Sequence, residues 1–150
     1  MQIIEEQKED FLISTNKSRL DIEVIHGYLS HSYWAAHIPM RVIKKSIEHS
    51  LCFGIYYQDK QIGFSRIISD YATFAYLADV FVLEEYRGKG LSKWMMQVIM
   101  NHPELQGLRR WMLATFDAHG LYKQYGFNEL ARPDRLMEIV KPDIYKNSDA

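Results

Sequence analysis

Cysteine, long apolar runs and an excess of either charge are what this sequence has least of. Its 150 residues include one cysteine, Cys52, so no disulfide can form within the chain. Cys52 lies in an apolar run and is expected to be buried, which fits a reducing cytosol. No apolar run approaches the length of a membrane-spanning helix, and residues 1–10 are acidic, without the apolar stretch of a signal peptide. We therefore expect a cytoplasmic protein that has no membrane partner.

The charge balance excludes a second set of functions. Lys and Arg number 18 and Asp and Glu 19, a formal charge of −1, so no general attraction to nucleic acid is expected. With 47% hydrophobic and 25% charged residues, the composition is globular, and the length suits one domain. We expect residues 1–150 to form that domain, with a short disordered tail at about 146–150. The histidines show no spacing with cysteine that would predict a metal site.

The order of apolar patterns predicts an α/β layout. Strands are predicted at 11–14, 51–57, 61–69, 73–83, 108–115, 127–130 and 136–140, and helices after Ser18, at 40–48, from Leu91 and at 118–125. Ser18 to Asp21 fits a capping box for the first helix. The predicted order is β-α-α-β-β-β-α-β-α-β-β, with an antiparallel meander followed by a β-α-β crossover.

A glycine turn between a strand and a helix is the strongest functional signal. Residues 86–92 read Tyr-Arg-Gly-Lys-Gly-Leu-Ser. Such a turn lets the first N–H groups of a helix face an anion, helped by the helix dipole. The segment does not fit a Walker A loop, and Lys93 stands where a dinucleotide fingerprint has its third glycine. Taken alone, the pattern is equally compatible with a tight turn that binds nothing.

A second motif lies downstream, where residues 118–127 read Ala-His-Gly-Leu-Tyr-Lys-Gln-Tyr-Gly-Phe. In this order and element pattern, the two motifs resemble the GNAT superfamily of N-acetyltransferases over about residues 11–140. Tyr122 takes the tyrosine position of the family's Tyr-x-x-x-Gly-Phe motif. The resemblance implies a mixed, mostly antiparallel sheet of about six to seven strands, flanked by about four helices.

The glycine turn is similar to the family's pyrophosphate loop, Arg/Gln-x-x-Gly-x-Gly/Ala. Arg87 and Gly90 match its first two fixed positions, whereas Ser92 departs from the third and Glu84 stands where many members have proline. The resemblance implies that acetyl-CoA is the co-substrate. Its pyrophosphate would be cradled by the loop and its pantetheine amides would pair with the preceding strand. The residues so implied are Val80, Phe81, Val82, Arg87, Gly88, Lys89, Gly90, Leu91 and Ser92.

Two residues are candidates for catalysis. The resemblance implies that Tyr122 is the general acid that protonates the departing CoA thiolate, although a buried helix aromatic is the alternative. Asp79 is an acidic residue in an apolar strand, where a carboxylate is costly unless it is paired or functional. It is either a general base, an anchor for the acceptor's ammonium group, or a partnered strand residue.

The remaining candidates concern the acceptor and the start of the last helix. Tyr33 and Trp34 line an amine pocket or pack in the core, and Arg66 either holds a substrate carboxylate or faces solvent. Asp117 is interpreted as a helix N-cap, with a cofactor contact as the alternative, and His119 is a candidate proton relay.

We expect an acetyl-CoA-dependent N-acetyltransferase that acts on a small-molecule amine by direct attack in a ternary complex. The alternatives are a non-catalytic acyl-CoA sensor and a protein N-acetyltransferase. The family also includes many dimers, so a homodimer is compatible with the resemblance.

Overall fold

Six strands form one sheet whose neighbours follow the order of the chain. The computed structural model describes residues 1–146, and residues 147–150, most of the expected tail, lie outside the described part. The strands are Glu5–Lys8 (β1), Phe11–Ser14 (β2), Leu51–Tyr57 (β3), Lys60–Ser69 (β4), Phe74–Val82 (β5) and Arg110–Leu113 (β6). Their order is β1-β2-β3-β4-β5-β6, antiparallel throughout except for the parallel pair β5–β6. The predicted mixed, mostly antiparallel sheet is confirmed.

Four α-helices flank the sheet: Ile22–Leu29 (α1), Met40–Glu48 (α2), Leu91–Met100 (α3) and His119–Lys123 (α4). Helix α3 joins β5 to β6, which is the crossover that a parallel pair requires. None of the helices in residues 1–146 is long and apolar enough to span a bilayer.

The core has two parts, one for each face of the sheet. Helix α3 buries Trp94, Met95 and Val98 against residues such as Phe53 and Ile62 of the sheet. The second cluster packs α1 and α2 against side chains that include Cys52, Phe64 and Phe81. Cys52 is a buried free thiol, as its apolar surroundings predicted, and burial raises its pKa to about 11.

Four element predictions were wrong: the missed first strand, the strands at 127–130 and 136–140, and the capping box that starts at Ser18. The sheet begins with β1, which was missed because Glu5–Lys8 is charged and fully exposed. Residues 127–130 and 136–140 form no strand. Their composition is β-prone, but they pair with no neighbouring strand within one chain. Helix α1 is capped by Asp21, whose Oδ1 accepts from the N–H groups of Glu23 and Val24 at 3.1 and 3.2 Å.

The two caps make a direct test. Asp21→Ala removes both hydrogen bonds at the start of α1 and should lower the free energy of unfolding by about 1 kcal/mol. Ser18→Ala, at the cap position predicted from the sequence, should change it by less than about 0.5 kcal/mol because the residue is exposed and lies outside α1. Denaturant unfolding of both variants measures the difference, and equal losses would contradict this assignment of the cap.

Candidate active site

A large cleft opens where β5 and β6 part. The two strands are in register from Phe74 with Arg110 to Leu77 with Leu113, and beyond these residues they no longer pair. The resulting cleft has a volume of about 1400 Å³. It is lined by the C-terminal half of β5, the chain that follows β6, the connection between α1 and α2, and Tyr122 of α4. A cleft of this size exceeds most small-molecule pockets and can hold a long ligand.

A β-bulge shapes the β5 wall of the cleft. Phe64 pairs with Phe81 and Arg66 with Ala78, so Ser65 of β4 faces two residues, Asp79 and Val80. Asp79 takes the left-handed conformation with φ of 56°, as expected for the first residue of one type of bulge. Non-glycine residues with positive φ are uncommon and cluster at functional sites. The bulge lies just beyond Leu77, the last residue of β5 that pairs with β6.

Asp79 is the centre of a polar network in the cleft. Its Oδ2 accepts from Arg66 Nε at 2.8 Å, and its Oδ1 accepts from Trp34 Nε1 at 2.9 Å. Arg66 also donates from Nη1 to Ser50 Oγ at 3.2 Å. The Arg66 and Asp79 side chains are 16% and 11% exposed, so solvent screens the pair less than it would a surface pair. Asp79 therefore has partners and Arg66 does not simply face solvent, while the base and anchor roles of Asp79 stay predictions.

The glycine turn has the backbone of an anion-binding loop. Gly88 and Gly90 have φ of 79° and 77°, which a residue with a Cβ adopts only at a cost. Nothing lies within 4 Å of a Cβ built on either residue, so backbone conformation and not space requires glycine. Gly90 is the N-cap of α3 and offers no side chain to the first helical N–H groups. These groups are therefore available to an external acceptor.

Arg87 organises this loop. Its Nε donates to the Val82 carbonyl oxygen at 2.9 Å, and its Nη2 donates to the Tyr28 hydroxyl at 3.1 Å. The Tyr28 ring stacks on Phe81 with centroids 4.1 Å apart. Arg87 thus ties the loop to the end of β5 and to α1.

The end of β5 presents an open main-chain edge to the cleft. Leu83 N–H donates to Ile62 O on the β4 side at 2.8 Å. Because successive strand residues direct their main-chain groups to opposite edges, the groups of Val82 and Val80 point away from β4. The Val82 carbonyl is taken by Arg87, whereas β6 pairs with β5 only as far as Leu77. An extended ligand could add to this edge as a strand does.

Tyr122 lies on the opposite wall. It is a buried residue of α4 that lines the cleft, and burial raises its pKa to about 12. Such a tyrosine keeps its proton at neutral pH and can act as a hydrogen-bond donor or an acid.

Three exposed aromatic side chains form the mouth of the cleft, which we call the aromatic rim: Tyr33, Trp34 and Phe116. Tyr33 contacts Trp34 edge to face with centroids 5.1 Å apart, and lies 6.1 Å from Phe116. The core-packing alternative for Tyr33 and Trp34 is wrong, since both are exposed. Phe116 and Tyr145 also line the cleft and were missed, because a lone aromatic residue after a strand or near a tail gives no periodic signal.

Only some of the other predicted site residues line the cleft. Ser92 lines the cleft and Leu91 is buried beneath the loop, while Lys89 is exposed. Asp117 lines the cleft but does not cap α4, whose N-cap is Ala118 without a side-chain bond; the cap interpretation was wrong because α4 starts one residue later. His119 lines a second, smaller groove along β6. Residues 1–146 contain no group of three or more His, Cys, Asp or Glu placed to bind a metal.

Comparison with known proteins identifies the family. The model of the acetyltransferase (GNAT) family matches residues 5–127. The chain belongs to this GNAT family. Its fold and motifs agree with the resemblance read from Arg87, Gly90 and Tyr122.

Individual GNAT relatives agree. A candidate acetyltransferase from Gibberella zeae is 33% identical over 154 residues, which cover 87% of this chain and 86% of the relative. A crystal structure of a candidate GNAT acetyltransferase from Xanthomonas campestris pv. campestris is 54% identical, with a TM-score of 0.88 over 90% of this chain and 96% of that one. A GNAT acetyltransferase from Elizabethkingia anophelis with acetyl-CoA bound shares the fold, with a TM-score of 0.60 and 14% identity over 81% and 78% of the two chains.

The conformation of Gly90 predicts an asymmetric response to alanine. Gly90→Ala forces a Cβ into the left-handed region and should lower the free energy of unfolding by roughly 1–2 kcal/mol. Gly120→Ala is the control, since Gly120 lies in α4 with nothing within 4 Å of its added Cβ. It should be neutral or stabilising by up to about 1 kcal/mol. Denaturant unfolding compares the two, and a Gly90→Ala protein as stable as the wild type would contradict the loop geometry.

Proposed function

We propose that this GNAT protein transfers the acetyl group of acetyl-CoA to the amine of a small molecule, by direct attack in a ternary complex. The observation that carries the proposal is one continuous cleft. It joins the uncapped start of α3, the open edge of β5, a buried tyrosine and a carboxylate at an aromatic mouth.

The donor end is built from main chain. In the proposal, the N–H groups of Gly88 to Ser92 receive the pyrophosphate of acetyl-CoA, and the dipole of α3 favours its negative charge. The open β5 edge at residues 80–82 pairs with the pantetheine amides, and the Arg87 bond to Val82 fixes the angle between loop and strand. This arrangement carries the thioester along β5 toward the bulge at Asp79.

The chemical step needs a nucleophile and a leaving-group proton. The acceptor's ammonium group first loses a proton to water, because an ammonium has no lone pair. The neutral amine then attacks the thioester carbonyl, so that a C–N bond forms as the C–S bond breaks, and the nitrogen loses a second proton to water. Tyr122 donates its proton to the departing CoA sulfur and regains one from solvent. Because the pKa of Tyr122 is raised, its hydroxyl is protonated at neutral pH and has a proton to give when the sulfur leaves.

The acceptor end is charged and aromatic. Both carboxylate oxygens of Asp79 already accept a hydrogen bond, and a carboxylate has further lone pairs to offer an ammonium group. In the proposal, these remaining lone pairs anchor the acceptor's ammonium group. The aromatic rim adds ring faces that suit a cation or an apolar substituent. We propose an amine with an apolar or aromatic body as the acceptor.

An acceptor screen tests the function. Release of CoA thiol from acetyl-CoA is measured with a panel of aromatic and aliphatic amines, peptides with free N-termini and lysine peptides. The proposal expects turnover with small amines of apolar character. Binding of acetyl-CoA without turnover on any acceptor would instead favour the sensor, and turnover on peptides alone would favour protein acetylation.

Tyr122→Phe separates acid catalysis from packing. The ring stays buried while the hydroxyl is lost, so kcat should fall about 100-fold or more with the acetyl-CoA dissociation constant unchanged. Tyr125→Phe is the matched control, because the Tyr125 hydroxyl donates to the Lys93 carbonyl outside the cleft. For the wild type, kcat should not decline up to about pH 10, the ordinary tyrosine pKa, since burial raises that of Tyr122 to about 12. Full activity in Tyr122→Phe would refute the acid role.

Asp79→Asn tests the ammonium anchor. Asparagine tolerates the positive φ at this position, so the change removes charge with little backbone strain. The KM for the amine should rise about tenfold, equivalent to about 1.4 kcal/mol, while the KM for acetyl-CoA stays constant. Glu85→Gln, an exposed carboxylate near the end of β5, should leave both constants unchanged. A fall in kcat alone, with an unaltered amine KM, would assign Asp79 to proton transfer instead.

A further inference from the structure

Arg66 and Asp79 form an ion pair in the wall of the cleft. Arg66 lies directly across from Ala78 in the register of β4 and β5, and residues that pair directly project to the same face of a sheet. In a regular strand Asp79, the next residue, would project to the other face. The bulge, with φ of 56° at Asp79, explains how its carboxylate reaches Arg66, because a bulge redirects a side chain.

Stability alone is a weak explanation for this ion pair. Both side chains are mostly buried, and the cost of removing two charges from water offsets much of their attraction. Asp79 also adopts a backbone conformation that is less favourable for a residue with a side chain than for glycine. Costly conformations of this kind cluster at sites that bind ligands. The pair is therefore a candidate for contact with the acceptor.

Arg66 keeps hydrogen-bond donors that the protein does not use. Its Nε donates to Asp79 and its Nη1 to Ser50 Oγ, whereas its Nη2 donates to no acceptor within residues 1–146. Nη2 is not among the buried polar atoms that lack a partner in this part of the chain, so it is accessible to solvent. Because Arg66 lines the cleft, a ligand there can accept from it. Arginine is well suited to a carboxylate ligand, since its N–H groups match the two oxygens.

The opposite charges of the ion pair select the kind of ligand. A simple ammonium ion is attracted by Asp79 and repelled by the neighbouring Arg66. A zwitterion is neutral overall and can lie antiparallel to the pair, with its ammonium group at Asp79 and its carboxylate at Arg66. An α-amino acid carries both groups on one carbon atom. That short spacing suits a pair whose nitrogen and oxygen atoms are 2.8 Å apart.

The aromatic rim begins at the ion pair and would contact the side chain of such a ligand. Trp34 Nε1 donates to Asp79 Oδ1 at 2.9 Å, so one ring of the rim touches the carboxylate that would hold the ammonium group. The Tyr33 ring lies 5.1 Å from that of Trp34, and the Phe116 ring lies 6.1 Å from that of Tyr33. Rings of this kind pack on aromatic and apolar groups. The rim therefore favours a ligand whose side chain is aromatic or apolar.

We propose that the acceptor is an α-amino acid with an aromatic or large apolar side chain, and that Arg66 binds its carboxylate. Such an amino acid is one class of the small-molecule amine in the proposed function, on which this assignment rests. The C–N bond forms at the α-nitrogen and CoA leaves as its thiol, so the product is an N-acetyl amino acid. Because the amide nitrogen of the product carries no charge, its contact with Asp79 is weaker than that of the substrate, which favours release.

Matched acceptors test the carboxylate contact in the wild-type protein. Phenylalanine, tryptophan and leucine, each as both enantiomers, are compared with phenethylamine, tryptamine and isopentylamine, which lack only the carboxylate. Release of CoA thiol from acetyl-CoA gives kcat and KM for each compound. At least one amino acid should have a KM about tenfold or more below that of its matched amine, the effect of one charged hydrogen bond. If amines are acetylated and no amino acid has the lower KM, the assignment is overturned and the proposed function stands. No turnover of any of these compounds would contradict both.

Arg66→Gln separates carboxylate binding from a structural role. The KM for the preferred amino acid should rise about tenfold or more. The KM for its matched amine should fall or stay constant, because the positive charge beside Asp79 is gone. Arg66→Lys keeps that charge and should restore part of the loss. Arg109→Gln, at an exposed arginine outside the cleft lining, is the control and should leave both constants unchanged. An equal rise in both KM values for Arg66→Gln would indicate a structural role only and would overturn the assignment.

Discussion

The parallel pairing of β5 with β6 stops at Leu77 and Leu113, and the rest of the site depends on that interruption. A sheet that continued to pair would leave no cleft and no free main chain. The bulge at Asp79 and Val80, opposite Ser65, lies just beyond this point on β5. Helix α3 follows β5, whose edge is open beyond Leu77. The N-terminus of the helix and the open strand edge therefore lie close enough to contact the same ligand. Local backbone geometry, more than any set of side chains, therefore defines the place where a ligand can bind.

Side chains hold this geometry in place. Arg87 fastens the glycine loop to Val82 and Tyr28, while Arg66 and Trp34 hold the Asp79 carboxylate. In the proposed function, main-chain N–H groups receive the anionic co-substrate. An excess of basic side chains is therefore not needed, which agrees with the formal charge of −1 of the chain. The mouth of the cleft differs in kind, since the aromatic rim lines it; in the proposed function its ring faces contact the body of the acceptor.

Much of this was predictable from the sequence, and the parts that were not have physical causes. Apolar periodicity predicts the bounds of α2 and β3 correctly. The glycine loop is predictable from Gly88 and Gly90, because backbone positions with positive φ are usually occupied by glycine. The bulge at Asp79 leaves none, since its residue is not glycine. The hydrogen bond from Trp34 to Asp79 joins residues far apart in sequence, and Phe116 carries no pattern that marks a cleft. The strand predicted at 136–140 does not form within one chain, because a strand needs a neighbouring strand as well as a β-prone composition.

Calorimetry measures whether the loop at α3 binds the pyrophosphate of acetyl-CoA, as we propose. Acetyl-CoA and acetyl-pantetheine, which has the thioester and both amides but no pyrophosphate, are titrated separately into the protein. The account predicts one acetyl-CoA per chain and binding at least about 100-fold weaker for acetyl-pantetheine, a loss of about 2.7 kcal/mol. The absence of acetyl-CoA binding, or equal affinity for the two compounds, would contradict it.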